Sequence, residues 1–209
     1  MPAHAMRRRH ETRFMLILIG LLSAIALVGS FSVVAIDSAG GLTAGSFTIY
    51  PTTTKPNLAP THGSAEVGTK FTVDATGSVV ALRYYRGMSS TSARTATLWS
   101  ANGQALAQAT FRSHGTGWQT AYLSRHVSLR AGATYVVGFH ADQGAYYQQP
   151  DELAKGHTIG NQYIHAVAGM VHRGGAAFPS TPTSSAFFAD VVFVPTSGVT
   201  SSSPSSLTV

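Results

Sequence analysis

Cysteine is absent from this 209-residue chain, so no disulfide can staple it and no thiolate can act as nucleophile or metal ligand. Charge is also scarce, with Asp, Glu, Lys and Arg making up 11% of the residues. From Ser46 onward six acids remain, Glu66, Asp74, Asp142, Asp151, Glu152 and Asp190, against ten basic residues, an excess of +4. Glycoside hydrolysis needs two carboxylates roughly 5 to 10 Å apart across a cleft. Asp151 and Glu152 are adjacent on a turn and Asp74 lies in another, so such a pair would have to be made by folding, as between Glu66 and Asp190. The basic residues are scattered singly, without the dense patch or aromatic interleaving used on nucleic acid, which points away from that partner. A Gly-x-Ser-x-Gly elbow is missing too, so nothing local marks a serine nucleophile. His140, His157, His165 and His172 are separated by seventeen, eight and seven residues, without the i, i+2 or i, i+4 spacing that brings two metal ligands together. They read as surface or loop histidines, with His165 and His172 on opposite faces of one strand.

What the chain does have is one long uncharged stretch, Phe14 to Ile36, preceded by Arg7, Arg8, Arg9 and Arg13. As a helix it would reach roughly 34 Å, enough to cross a hydrocarbon layer about 30 Å thick. The arginines resist translocation, so residues 1–13 are expected in the cytoplasm and everything after Asp37 outside it. Val33 and Ala35 would suit a signal-peptidase site after Ala35, but the run exceeds the 7–15 residues usual for a signal core. The length favours an uncleaved membrane anchor over a secreted product, and both readings place the remainder beyond the cytoplasm.

Residues 37–45 form a small polar tether. Over 46–194, short runs of period-two alternation recur between turn residues, as half-buried strands do. They are Ser46–Tyr50, Val67–Val73, Val79–Tyr85, Arg94–Trp99, Ala105–Phe111, Trp118–Leu123, Tyr135–His140, Tyr163–Val171 and Phe187–Val194. Asn102-Gly103 is the strongest hairpin signal, and Asp74-Ala-Thr-Gly77 predicts another. Only Pro150 to Gly156 looks helical, with Asp151 and Glu152 early and Gly156 as a stop. The expected fold is all-β, an antiparallel β-sandwich of jelly-roll type, preceded by one N-terminal hydrophobic helix. Residues 195–209 are Ser/Thr-rich and predict a disordered tail. Both faces of the last strand are mostly apolar, which predicts a central position in its sheet. Asp190 interrupts it, and burying that carboxylate unpaired would be costly. An arginine such as Arg83 or backbone N–H groups could satisfy it, although alternation sets Arg83 and Tyr85 on one face, toward solvent.

One ordered series is more specific than any of its parts. Glu66-Val-Gly-Thr-Lys-Phe71, Val80-Ala-Leu-Arg-Tyr-Tyr-Arg-Gly87, Ala96-Thr-Leu-Trp-Ser100, Gly117-Trp-Gln-Thr120, Ala131-Gly-Ala-Thr-Tyr-Val136, His140-Ala and Ala189-Asp-Val-Val-Phe193 follow one another in turn. The series, over about Ser46 to Val194, resembles the bacterial domain-of-unknown-function family DUF4082. The resemblance implies a jelly-roll-like sandwich of exported proteins, often found beside glycoside hydrolases or other surface modules. It carries no catalytic residues to transfer.

Two candidate sites follow. The loop after the seventh predicted strand holds His140, Asp142, Gln143, Tyr146 and Tyr147 with Gln148 and Gln149. Its tyrosine rings could stack on a sugar while amides and carboxylate bond hydroxyls; equally, the rings could cap the end of the sandwich. A structural calcium ion, which suits hard oxygen ligands, has Glu66 and Asp190 as candidates. For Trp99 and Trp118 core packing is the default. The resulting expectation is a non-catalytic binding module outside the cytoplasm, with extracellular glycan as ligand. The alternatives are an envelope structural or protein-interaction domain, and a cryptic hydrolase.

Overall fold

The computed structural model describes residues 45–57, 61–87, 94–112, 115–141 and 145–196. The apolar run 14–36, most of the tether, Asp142, Gln143 and residues 197–209 lie outside them. All described residues fall within one compact unit.

Eleven strands follow in order: β1 (Thr61–His62), β2 (Ala65–Val73), β3 (Gly77–Arg86), β4 (Thr95–Ser100), β5 (Ala105–Thr110), β6 (Gly117–Leu129), β7 (Thr134–Ala141), β8 (Ala145–Tyr146), β9 (Ile164–Arg173), β10 (Thr181–Thr183) and β11 (Ala189–Pro195). A six-stranded sheet runs β10-β9-β2-β7-β4-β5 and a three-stranded sheet runs β11-β3-β6, while β1 pairs with β8. Every named pairing is antiparallel. Alternation sends Val67, Phe71, Val137 and Phe139 from the larger sheet against Leu82, Tyr84, Val191 and Phe193 from the smaller, and all are buried. Tyr84 sits 4.8 Å from Phe139 and 4.7 Å from Phe111, ring centroid to ring centroid. With cysteine absent, this two-sheet core carries the stability.

The hairpin at Asn102-Gly103 forms as its turn chemistry requires. Gly103 takes φ +87° and its N–H donates to the Ser100 carbonyl at 3.1 Å. The segment Asp74 to Gly77 behaves otherwise. It carries the chain from the six-stranded sheet into the three-stranded one, its first N–H bonding the Tyr163 carbonyl at 2.9 Å. The helix expected over Pro150 to Gly156 is a series of turns instead. Asp151 has φ +58°, outside the helical region, and the Leu153 N–H leaves the segment for the Ser184 carbonyl at 2.8 Å.

Two irregularities change which side chains share a face. In β9 the pairing with β2 slips by one residue opposite Lys70 and Phe71, so Val167 has no partner. The extra residue cancels the odd spacing of His165 and His172. Both therefore lie on the outer face of the large sheet, opposite Thr72 and Glu66 respectively, and not on opposite faces. In β6, residues 123–126 bulge out between Tyr122, which pairs with Ala81, and Val127, which pairs with Val79.

The last strand is not central. β11 pairs only with β3 among the strands, and its free edge is covered by the segment after the tether, which forms no strand of its own. Phe47 exchanges two backbone hydrogen bonds with Phe193, at 2.7 and 2.8 Å. Two residues further on, the Ile49 N–H donates to an Asp190 carboxylate oxygen at 2.8 Å and the Tyr50 N–H to the other at 3.4 Å. The Val191 N–H adds a third donor at 2.7 Å. Asp190 thus replaces ladder bonds that the incoming segment would otherwise make with strand backbone. Arg83, directly across from it on β3, is also buried rather than solvent-facing. Its guanidinium stands 3.8 Å from the Asp190 carboxylate and 4.3 Å over the Trp118 ring. Burial pushes the Asp190 carboxyl up to about 6, while Arg83 and the three N–H groups pull it down. Burial likewise lowers Arg83, against the pull of Asp190.

Removing one member of a buried pair leaves the other charge uncompensated, at about 3–5 kcal/mol. Asp190→Ala is expected to lose about that much in urea unfolding, and adding Arg83→Met should recover part of the loss. An Asp190→Ala protein as stable as the parent would show that the carboxylate does not secure the segment.

Candidate functional site

The outer face of the large sheet carries the most chemically distinctive group of side chains. In β2 the inward residues are Val67, Thr69 and Phe71, so Glu66, Gly68 and Lys70 point outward. Register sets Glu66 directly opposite His140 of β7 on one side and His172 of β9 on the other. Gly68 lies beside Gly138, and the absence of two side chains gives the Trp99 ring of β4 a bed. A Cβ at Gly138 would come within 3.2 Å of that ring and 2.7 Å of the Val67 carbonyl oxygen. Trp99 is therefore not a residue of the central core. It joins Val136 and Met170 in a separate apolar cluster under Phe178, whose ring stands at 5.8 Å and 68° to the indole. Phe178 also lies against Gly103, where a Cβ would meet its ring at 3.0 Å.

Beside this aromatic wall is a cleft of about 240 Å³, lined by Glu66, Thr95, Thr97, Gln108, His140 and the segment Ala176–Phe178 along with Trp99. Thr97 and Gln108 face each other across the β4–β5 hairpin, and the Gln108 amide donates to the Thr97 hydroxyl at 3.2 Å. Glu66 is 3% exposed. Among the described residues its one ion-pair contact is with the His140 Nδ1, 3.4 Å from Oε2, too long for a well-formed N–H···O bond. That nitrogen is itself buried without a hydrogen-bond partner. Burial raises the Glu66 carboxyl to about 8, so near neutrality it is largely protonated and can both donate and accept. Two other cavities, of about 260 and 510 Å³, open at Tyr50–Glu152 and between β5 and β6. Neither is lined by a carboxyl as buried as Glu66.

The residues singled out in the sequence are dispersed. His140 lines the cleft, whereas Tyr146 is buried with its ring centroid 6.1 Å from that of Phe187. Tyr147 is half-buried, edge-on to Tyr85 at 5.6 Å. Gln148 and Gln149 bond to Ser185 and Glu152. Asp142 and Gln143 lie outside the described residues. Glu66 and Asp190, the two calcium candidates and the one fold-made carboxylate pair, are not brought together. Glu66 faces the cleft with His140, while Asp190 is held by Ile49, Tyr50, Val191 and Arg83. In the rotamers present, no group of three His, Asp or Glu side chains converges on a metal position among the described residues. Thr95, Thr97, Gln108 and Phe178 are new to the site. The Asn-Gly turn signal fixes the hairpin register that pairs Thr97 with Gln108; nothing local signals Phe178.

Fold and site together define an antiparallel, two-sheet β-protein with a small polar cleft on the outside of its larger sheet. The chain belongs to the family described as domain of unknown function DUF4082, whose model matches residues 51–189. No curated protein matches it.

Glu66 has a consequence for stability. A carboxyl whose folded pKa is raised holds its proton better in the native state. Its contribution is thus full below about 4.5 and is lost as the pH rises toward about 8. Glu66→Gln should remove this loss, so its melting temperature should exceed the parent's near pH 8 and converge with it near pH 4.5. Parallel melting curves for the two proteins across that range would contradict the assignment.

Proposed function

We propose that this domain is a non-catalytic binding module for carbohydrate, and that the ligand sits in the cleft on the outer face of the six-stranded sheet. One observation carries the reading. The buried Glu66 carboxyl stands 3.4 Å from His140 Nδ1, and that nitrogen is buried without a hydrogen-bond partner, in a cleft walled by Trp99 and Phe178. Buried polar groups are normally bonded, and a sugar ring supplies both the missing hydroxyls and an apolar face for the aromatic wall. Gln108, Thr95 and Thr97 add an amide and two hydroxyls at the rim. The volume suits one sugar unit. Among the described lining residues the cleft has a single carboxyl, which supports binding rather than glycoside hydrolysis. We take the sandwich as jelly-roll-like, because the chain crosses between the sheets at β2–β3, β3–β4, β5–β6, β6–β7 and β10–β11. The basic segment and apolar run at 7–36 support a place outside the cytoplasm, anchored or secreted, with cell-surface or extracellular glycan as the encountered ligand.

The second reading, a protein-interaction domain of the envelope, draws on a different region. β5 and β6 are free sheet edges flanking a groove of about 510 Å³ that includes Leu106, Arg125 and His126, and Tyr122 of β6 is 47% exposed. Free edges accept added strands.

Calorimetry with solubilised cell-wall polysaccharides and a glycan array separates these readings. Trp99→Ala is expected to weaken binding about tenfold or more, about 1.4 kcal/mol, and Gln108→Ala to weaken it less. Tyr147→Ala should bind like the parent. No binding by the parent, or full binding by Trp99→Ala, would refute the cleft as a glycan site.

A further inference from the structure

We propose that Glu66, His140 and His172 constitute a binding site for a divalent transition-metal ion of the Zn²⁺ class. The three residues stand side by side on adjacent strands β7, β2 and β9, in direct cross-strand register and on one face of the sheet. Cβ atoms of residues so paired are about 4.5–5.5 Å apart, close enough for carboxylate and imidazole groups to meet above the central strand. Sequence spacing hides this arrangement, because His140 and His172 are thirty-two residues apart in the chain and are drawn to Glu66 only by the sheet.

The first pair already has ligand spacing. A tetrahedral zinc ion with nitrogen and oxygen ligands about 2.0–2.1 Å away holds them roughly 3.3 Å from each other. Glu66 Oε2 and His140 Nδ1 are 3.4 Å apart, and that nitrogen is buried with no hydrogen-bond partner. Glu66, 3% exposed, has no hydrogen-bond partner among the described residues. Both groups are thus open to a bond that an ion would complete. His172 is the third ligand. It is half-buried and makes no hydrogen bond or ion pair among the described residues. As the side chains stand, no three His, Asp or Glu groups converge among the described residues and His172 does not line the cleft, so loading requires its side chain to swing toward Glu66. Two imidazoles and a carboxylate are a donor set for zinc, copper, nickel or iron rather than for calcium, which takes six to eight oxygens. Gln108 and Thr97 line the same cleft, the Gln108 amide donating to the Thr97 hydroxyl at 3.2 Å.

The inference uses the cleft but does not depend on what organic ligand occupies it. The full-length chain, held in mild detergent and stripped with chelator, is titrated with Zn²⁺ in a calorimeter and with Co²⁺ by visible absorption. One equivalent at micromolar affinity or tighter is expected, with Co²⁺ bands characteristic of a nitrogen–oxygen site. Glu66→Gln, His140→Ala and His172→Ala should each weaken binding about tenfold or more, no less than loss of a supporting residue does at known sites. His126→Ala, on β6, should leave it unchanged. A melting curve for each variant separates lost binding from lost fold, and a variant that fails to fold is replaced by His140→Gln or His172→Gln. Absence of stoichiometric binding overturns the proposal, as does binding that survives His140→Ala or His172→Ala in a folded protein. Zinc binding without any glycan binding would leave this site standing while removing the carbohydrate reading; the converse result would do the opposite.

Discussion

The sandwich is closed by a single carboxylate. Asp190 sits on an edge strand with 0% exposure, where an ion loses its hydration at a large cost unless compensated. Compensation comes from three backbone N–H groups and the Arg83 guanidinium, and two of those N–H groups belong to the segment that covers the edge. One group therefore solves two problems. It satisfies donors that have no strand to bond to, and it brings the first residues of the domain onto its last strand. Tyr50, fixed this way, reaches its ring to within 5.4 Å of Phe188 and 5.9 Å of Trp118, centroid to centroid.

Glu66 is the instructive opposite. It too is a carboxyl in an apolar sheet, yet its one ion-pair contact is with an imidazole nitrogen that is unbonded as well. Fold stability gives no reason to keep such a pair. Where a structure spends a buried acid on its own architecture, as at Asp190, the lone pairs are filled.

Most of the architecture was legible from alternation and turn chemistry. The eight runs from Val67 onward fall on strands β2 to β7, β9 and β11, although β6 continues to Leu129 beyond its run, because each has apolar residues at period two. The errors have one cause, that local pattern does not report partners. Ser46–Tyr50 alternates like a strand, but beyond the Phe47 bridge its Ile49 and Tyr50 donors go to a side chain. Pro150 to Gly156 is charged and capped like a helix but its backbone is drawn to Ser184. The apolar β11 resembled a central strand because its open edge is buried by a chain segment rather than by another strand. For the site the limit is sharper. His140 and Glu66 stand out in the sequence for different roles, since only the pairing of β2 with β7 brings them face to face. Likewise the bulge at Val167 reverses the side on which His165 points, and no composition signals a single inserted residue.

The bridge between Phe47 and Phe193 sets both ends of the folded domain on the same rim, running antiparallel. Tension applied between residues 46 and 196 would meet these bonds in series: first the two at Phe47, then those at Asp190, each broken before the next is strained. That is the geometry of a zipper, which yields at low force, whereas strands sheared lengthwise share the load. A domain tethered at one end would keep its shape under pull on its surface, and would open from this corner if hauled by both termini.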